Sequence, residues 1–287
     1  MSAIQKLIQG SEEWHAYRQT MRNASESAAV LGLSPWTTPY QLWLIKTGRY
    51  VQETNTAMQR GTDLEPAART AYELQTGNVM QPLVLQDGLY SASLDGMTLD
   101  GDHILEIKCP MRGTRSDLWQ EVKNGEVPAH YMIQIQHQLM VSGASLAHLW
   151  IFDGNVGLLH SINRDDIMMA KIKKVWDAFQ QFLDTDAPPP LTDQDRALRD
   201  DAEWSEAATA YLNAKRLSDD AVEHLNSAKE NLIALCKHPK EQGAGVMVTR
   251  YWKNGSVDYK RVSELQGVDL EQYRGKSREE IRVTEKS

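Results

Sequence analysis

One short apolar run with two charges on alternating positions constrains the fold of this chain most strongly: residues 103–109, HILEIKC. Its length and apolar content predict a buried strand. Because side chains alternate along a strand, Glu106 and Lys108 share one face, and Leu105 and Ile107 pack on the other. Unpaired charges buried beside such apolar residues are costly, and charges that persist in that setting tend to be functional.

An acidic residue stands shortly before this strand. Asp95 follows an apolar run in Ser93-Leu94-Asp95-Gly96, beside a glycine that permits a tight turn, and a hairpin return would bring it alongside Glu106 and Lys108. Carboxylate oxygens suit Mg²⁺ or Mn²⁺, and a lysine can orient an attacking water. The spacing therefore indicates a metal-dependent phosphodiesterase site. The ordinary alternative for a Glu-x-Lys strand is a solvated face or a surface ion pair.

Composition limits the class of protein. The chain has 287 residues, enough for one large domain or a domain with an appendage, and its hydrophobic fraction of 41% is ordinary for a soluble protein. No apolar run approaches a membrane span, and the N-terminus lacks a signal-peptide pattern, so a cytoplasmic location is expected. The net charge of −8 disfavours DNA binding without excluding it, because basic residues can be concentrated on one surface.

Hydrophobic periodicity predicts mixed helices and strands over the first two thirds of the chain. Predicted helices cover residues 11–18, 23–32, 39–48, 58–74, 116–123, 130–141 and 165–183, and predicted strands cover 83–85, 90–94, 104–108, 147–152 and 157–162. Within the helix at 58–74, Glu65 lies on the same face as Ala68 and Tyr72. Glu65 is either a surface residue or a further metal ligand.

The segment Asp186-Ala187-Pro188-Pro189-Pro190 is the predicted domain boundary, because a triple proline cannot continue a helix. We therefore expect a core at residues 1–185 and a C-terminal extension at 186–287. In the extension, an apolar residue every three or four positions predicts a long helix at 203–237. Asn254-Gly255 predicts a hairpin turn between strands at 246–251 and 256–262. The tail at 273–287 is charged.

Over residues 8–183 the chain resembles the lambda-exonuclease, or YqaJ-type viral recombinase, branch of the PD-(D/E)XK nucleases. Many motifs in order carry this resemblance: Glu13-Trp14-His15 with Arg18, Ala24-Ser25-Glu26, Gly32-Leu33-Ser34-Pro35-Trp36, Pro39-Tyr40-Gln41-Leu42-Trp43, Lys46-Thr47-Gly48, Arg60-Gly61 with Glu65, Ser93-Leu94-Asp95-Gly96, Leu105-Glu106-Ile107-Lys108-Cys109-Pro110, Tyr131-Met132 and Gln134-Ile135-Gln136.

The resemblance implies an α/β fold in which a central mixed β-sheet is flanked by helices, here followed by a C-terminal helical arm and β-hairpin. It implies a Mg²⁺-dependent 5′→3′ exonuclease that degrades one strand of linear double-stranded DNA and leaves a 3′ single strand. It also implies a homotrimeric ring around the DNA, a single-strand annealing protein as partner in recombination, and a phage or prophage origin.

The resemblance also implies roles for individual residues. Asp95, Glu106 and the carbonyl of Ile107 would bind Mg²⁺, for which Mn²⁺ could substitute, and Glu65 would help to hold a metal. Lys108 would position or activate the water.

Four further residues match positions of the family. Gln134 would orient the nucleophile or support the site, and Tyr131 matches an active-site tyrosine. Arg18 and Ser25 match the residues that hold the 5′-terminal phosphate. An arginine suits this role because its planar guanidinium can donate two hydrogen bonds to one phosphate.

Two other functions remain open at this stage. An endonuclease could share the same catalytic core, although the end-binding pair Arg18 and Ser25 argues against it. A non-catalytic DNA-end-binding module could retain the fold, although intact Asp95, Glu106 and Lys108 argue against that. The extension could pack between protomers, contact DNA or dock the annealing protein, and a structural role for its helix is favoured.

Overall fold

The computed structural model describes residues 2–51, 55–253, 255 and 268. The chain divides into two compact units, Met1–Arg196 and Ala197–Ser287. The segment that follows the triple proline packs within the first unit, where the Thr38 hydroxyl donates a hydrogen bond of 2.5 Å to Asp195. The domain division at residues 185 and 186 stays a prediction.

The first unit alternates helices and strands as the periodicity predicts. Its strands are β1 (Ala3–Gln5), β2 (Arg22–Asn23), β3 (Gln81–Asp87), β4 (Tyr90–Met97), β5 (His103–Lys108), β6 (Leu146–Phe152) and β7 (Gly157–Asn163). Its α-helices are α1 (Glu12–Thr20), α2 (Ser27–Val30), α3 (Pro39–Lys46), α4 (Thr56–Thr76), α5 (Asp117–Lys123), α6 (Ala129–Ser142) and α7 (Asp166–Asp184). The predicted helix at 23–32 is in fact strand β2, a 3₁₀ turn at Ala24–Glu26 and the short α2.

The strands form one seven-stranded sheet in the order β1-β3-β4-β5-β6-β7, with β2 paired to β4. The pairs β5–β6 and β2–β4 are parallel and the other pairs are antiparallel, so the sheet is mixed. The parallel step from β5 to β6 passes through α5 and α6, the long crossover that parallel neighbours require. The expected α/β fold, a central mixed sheet flanked by helices, is confirmed.

The two faces of the sheet carry separate apolar cores. Helices α2, α3, α6 and α7 cover one face, where the amphipathic α7 buries Ile172 and Trp176. Helix α4 covers the other face, where Tyr72 packs with Leu105 and Trp150. Leu105 and Ile107 lie in this second core, so β5 turns its apolar side to α4 and its charged side to α6.

Local sequence fixes where the helices begin. Thr38 and Gln41 form a capping box at the start of α3, and Pro39 occupies the first turn. The Asp165 carboxylate accepts hydrogen bonds from the first turn of α7. Helix α4 ends at Gly77, which has a φ of 74° that favours glycine.

A buried polar chain joins α2, α6 and α7. His137 is fully buried, its Nδ1 lies 2.6 Å from Ser27 Oγ, and Trp176 Nε1 donates to the same Oγ over 2.8 Å. An indole N–H can only donate, so Ser27 Oγ accepts from Trp176, and its contact with His137 Nδ1 completes the chain. Burial lowers the pKa of His137 to about 3.

This histidine predicts acid sensitivity. The unfolded chain takes up a proton near pH 6.5 and the folded chain only near pH 3, so stability falls as pH drops through that window. We expect a loss of about 2 kcal/mol at pH 5, from about 1.4 kcal/mol per pH unit. Urea unfolding at pH 7 and pH 5 measures it. Between pH 7 and pH 5, His137→Asn should lose less stability than the wild type loses. His160→Asn removes a histidine at a half-exposed position and should lose as much stability as the wild type. Equal losses in all three proteins would contradict this prediction.

The second unit contains α8 (Ala202–Leu235), β8 (Lys240–Gly243) and β9 (Val246–Thr249). The predicted long helix is confirmed by α8, which Asp201 caps. Strand β9 pairs with the preceding β8. The second strand of the hairpin expected around Asn254-Gly255 and the charged tail lie outside the described residues. No helix in the described part of the chain is both long and apolar enough to cross a membrane.

Candidate active site

The site forms where β4 and β5 part. Their ladder pairs Met97 with Ile104 and Gly96 with Leu105, and it ends there. Beyond it, Asp95 Oδ2 accepts a hydrogen bond of 2.7 Å from the backbone N–H of Ile107. The carboxylate thus takes the place of a backbone acceptor and is held beside the charged face of β5. The predicted hairpin return of Asp95 towards Glu106 is confirmed.

Close packing explains the glycine after Asp95. A Cβ at Gly96 would lie 2.7 Å from Cβ of Met80 and 3.3 Å from Cβ of Leu105. Any other side chain would therefore push the strand away from the second core and displace the neighbouring Asp95.

Glu106 is buried, with 2% of its surface exposed, and both of its oxygens have partners. Oε1 accepts from Gln134 Nε2 at 2.7 Å and contacts Lys108 Nζ at 2.5 Å. Oε2 accepts from Gln138 Nε2 at 2.5 Å. The two glutamines are four residues apart on α6 and so share one helix face. A buried carboxylate held by three donors keeps one orientation.

Three carboxylates influence one another in this site. Burial raises the pKa of Asp95 well above its usual range, and the negative charges of Glu106 and Glu65 raise it further. Burial likewise raises the pKa of Glu65, to which Glu106 adds, while Arg69 opposes the shift. Such mutual repulsion is relieved by a bound cation.

Lys108 lies between these acids and Tyr131. Burial alone would lower the pKa of Lys108, but the negative charges of Glu106 and Asp95 raise it above its usual range. The ammonium also lies 4.9 Å from the centre of the Tyr131 ring. Burial raises the pKa of the Tyr131 hydroxyl, so both groups are protonated near neutral pH. Lys108 is therefore a cation in this arrangement, held against the Glu106 carboxylate.

The donor set fits a hard divalent ion. Among the described residues, no group of three or more His, Cys, Asp or Glu side chains is arranged to hold a metal ion. Mg²⁺, however, usually keeps several waters and binds through one or two carboxylates. Asp95 and Glu106 supply such a pair, and the buried, mutually repelling charges of the site favour a cation.

Glu65 reaches the site through an arginine. Arg69, one helical turn further along α4, contacts the Glu65 carboxylate, and its Nε donates a hydrogen bond of 2.6 Å to the Asp95 carbonyl. Arg69 therefore ties α4 to the point where β4 leaves the ladder. In this structure, the partner of Glu65 is Arg69, and its role as a metal ligand stays a prediction.

Arg18 and Ser25 form a second polar cluster with Glu26. Arg18 Nη2 lies 3.0 Å from Ser25 Oγ and 3.3 Å from Glu26 Oε1. The other oxygen of Glu26 pairs with the buried Lys46 at 2.6 Å. The Arg18 guanidinium stacks 4.6 Å from the Trp14 ring centre. The predicted phosphate-binding pair is thus brought together and held in one orientation.

Hydrogen bonds connect the two clusters. Trp14 Nε1 donates to Ser93 Oγ over 3.0 Å, and Gln138 Nε2 donates to the Ser93 carbonyl over 3.3 Å. The Gln138 side chain also holds Glu106. The Arg18 cluster and the acidic site are therefore joined within the same unit through Trp14, Ser93 and Gln138.

Sequence reasoning missed Gln138 and Arg69 as parts of the site. The repeat of Tyr131, Gln134 and Gln138 along one face of α6 was a usable signal, because polar side chains on a stripe that faces the sheet need polar partners. Arg69 carried no such signal, since an arginine four residues after a glutamate is usually a surface ion pair.

Comparison with known proteins finds a family model that matches this region. Residues 13–145 match the family model of the YqaJ-like viral recombinase domain, which confirms the resemblance inferred from the motifs. The uncharacterized protein YqaJ of Bacillus subtilis (strain 168) is 30% identical over 173 residues, which make up 57% of this chain and 53% of that protein. The chain thus spans about half the length of this curated relative.

Two solved structures are similar. An alkaline exonuclease, LHK-Exo, from Laribacter hongkongensis is 28% identical with a TM-score of 0.53, and the match covers 70% of this chain and 100% of that chain. LHK-Exo in complex with dAMP is 29% identical with a TM-score of 0.53, covering 61% of this chain and 94% of that chain.

Proposed function

We propose that this chain, whose residues 13–145 match the YqaJ-like viral recombinase domain, is a metal-dependent exodeoxyribonuclease that digests one strand of linear double-stranded DNA from its 5′ end. The convergence of Asp95, Glu106 and Lys108 where β4 and β5 part is the observation that carries this proposal. The similarity to an alkaline exonuclease supports the same class of reaction.

The chemistry follows from the charges of the site. Asp95, Glu106 and the Ile107 carbonyl would hold Mg²⁺ or Mn²⁺, with Glu65 as a further ligand. When bound, the ion makes a water more nucleophilic and stabilises the leaving oxygen. The Lys108 ammonium orients the water and offsets negative charge on the scissile phosphate. Gln134 fixes Glu106 through its 2.7 Å hydrogen bond, and Tyr131 supports the Lys108 cation from beneath.

Directionality would come from the Arg18 cluster. Arg18 and Ser25 present a guanidinium and a hydroxyl close to the acidic site, and together they suit a terminal phosphate. Glu26 pairs with both Arg18 and Lys46, so a bound terminal phosphate would take over part of the Arg18–Glu26 ion pair. The guanidinium and the hydroxyl would then both donate to the 5′-phosphate.

We expect Arg18→Ala to remove the preference for 5′-phosphorylated over 5′-hydroxyl duplexes, because the bidentate donor is lost. Initial digestion rates of both substrates measure the preference. Arg164→Ala, which removes an arginine paired with Asp166 at the start of α7, is the control and should keep it. A wild type that digests both ends equally would exclude this role for Arg18.

Assembly and pathway belong to the same proposal. A homotrimeric ring would let an acidic protomer line a channel with its basic groups and digest DNA processively. The 3′ single strand would be passed to a single-strand annealing protein in phage-type recombination. The C-terminal extension, residues 186–287, is a candidate for contacts between protomers or with that protein.

The decisive experiment uses linear duplexes labelled at either end, with or without a 5′-phosphate, in Mg²⁺, in Mn²⁺ or in EDTA. Closed circular duplex and Asp95→Asn are run alongside. Metal-dependent loss of the 5′-ended strand, with circles intact and the variant inactive, is the expected result. Cleaved circles would indicate an endonuclease instead, and end binding without any cleavage would indicate a non-catalytic module.

A further inference from the structure

An exposed indole lies beside the candidate active site. Trp36 has 67% of its surface exposed, and its ring centre lies 4.9 Å from that of His130 at 82° and 6.0 Å from that of Tyr131. The rings of His130 and Tyr131 are themselves 4.1 Å apart. Because Lys108 Nζ lies 4.9 Å from the Tyr131 ring, the three aromatic rings extend outward from the reacting centre.

The backbone that presents Trp36 is held firmly. Ser34 is buried, and its Oγ accepts hydrogen bonds of 3.2 Å from the N–H groups of Trp36 and Thr37. The capping box of Thr38 then starts α3, which buries Trp43 in the core. The segment therefore keeps a large apolar ring in water, although burial of that ring would be favourable.

A nucleobase is the ligand that this position fits. A phosphodiester site next to the rings brings the bases of the same strand within reach, and every base has an aromatic face that stacks on an indole whatever its sequence. His130 and Tyr131 contact the indole from one side and so set its orientation.

We propose that Trp36, supported by His130, stacks on the unpaired base of the nucleotide whose phosphate is being cut. This inference rests on the proposed nuclease function and adds a base-binding subsite to it. Stacking would hold the strand end away from its complement while leaving the choice of base open.

The test compares Trp36→Ala, Trp36→Phe and Trp252→Ala on duplexes whose 5′-terminal nucleotide is natural or abasic. Trp252 is fully exposed in the second unit and serves as the matched control. On the natural end, Trp36→Ala should lower kcat/KM by roughly 5- to 100-fold, the range that stacking of one base supplies. Trp36→Phe should keep most of the activity, and Trp252→Ala should keep all of it.

The abasic end separates stacking from a structural role. It should slow the wild type about as much as Trp36→Ala does, and it should slow Trp36→Ala no further, because the same contact is already lost. The proposal would be overturned if Trp36→Ala lowered the rate on the abasic end by the same factor as on the natural end. It would also be overturned if Trp36→Ala digested natural ends at the wild-type rate.

Binding affinity for the same duplexes in EDTA repeats the comparison without hydrolysis. Here too, the natural base should matter to the wild type and not to Trp36→Ala. If the wild type bound the ends and cut none of them in Mg²⁺ or Mn²⁺, the nuclease proposal would fail. The binding comparison would then still decide whether Trp36 stacks on the terminal base.

Discussion

Asp95→Asn is expected to abolish hydrolysis and at the same time to stabilise the folded protein in EDTA. The asparagine can still accept the hydrogen bond from the Ile107 N–H, so the parting of β4 and β5 is retained. It removes a charge that is destabilised by burial and by repulsion from Glu106 and Glu65. We expect a melting temperature about 2 to 6 °C above that of the wild type, which corresponds to about 1 to 2 kcal/mol.

In Mg²⁺ the order of the two melting temperatures should be reversed, so that the wild type melts above Asp95→Asn. A ligand that binds only the folded state stabilises it by about 2.7 kcal/mol at a hundred times its dissociation constant. The wild type should therefore melt higher in Mg²⁺ than in EDTA, and Asp95→Asn should respond much less because a ligand has been removed. Thermal melts at increasing Mg²⁺ concentration measure both effects.

Asp100→Asn is the matched control in the same hairpin. Hydrogen bonds from the Thr98 hydroxyl and the Asp102 N–H lower the pKa of Asp100, the opposite direction to Asp95. Losing that carboxylate should destabilise the fold slightly and should leave hydrolysis and the Mg²⁺ response unchanged. If Asp95→Asn retained full activity, or responded to Mg²⁺ as the wild type does, Asp95 would not be a metal ligand.

The core elements of the first unit were predictable because their periodicities are strong. The strand at 104–108 was identified from its apolar run, and its two faces follow directly from alternation, as Glu106 and Leu105 show. Strands β1 and β2 were missed since two or three residues carry no period. The pairing of β9 with β8 was missed because Asn254-Gly255 is the stronger turn signal in the sequence.

The site was predictable to the extent that it lies on one hairpin. Asp95, Glu106 and Lys108 are close in sequence, so strand geometry alone brings them together. Gln138 and Arg69 come from helices on opposite faces of the sheet, and their contacts depend on how those helices pack. Strand alternation and helical periodicity predict which face of an element a side chain lies on. They do not predict which residue of the neighbouring element that side chain contacts.

The charge balance between Glu106 and Lys108 leads to the second large effect. Glu106 is almost fully buried, and the side chain of Lys108 is 24% exposed. Removing one partner of a buried ion pair leaves an uncompensated charge, at a cost of about 3 to 5 kcal/mol when both partners are fully buried. We expect Lys108→Met to lose about 2 to 4 kcal/mol in EDTA, less than that range because Lys108 is partly solvated.

In EDTA, Lys108→Met should lower the stability of the fold, whereas Asp95→Asn should raise it, although both variants should be inactive. A divalent ion would replace the missing positive charge beside Glu106. Mg²⁺ should therefore raise the melting temperature of Lys108→Met by more than it raises that of the wild type, without restoring hydrolysis.

Lys46→Met separates metal binding from general loss of an ion pair. Lys46 is more deeply buried than Lys108 and pairs with Glu26 at 2.6 Å, in the Arg18 cluster rather than in the acidic site. The variant should be destabilised in EDTA, and Mg²⁺ should raise its melting temperature only as much as that of the wild type. An equal gain in Lys46→Met and Lys108→Met would mean that the ion acts elsewhere, because only Lys108 neutralises a proposed metal ligand.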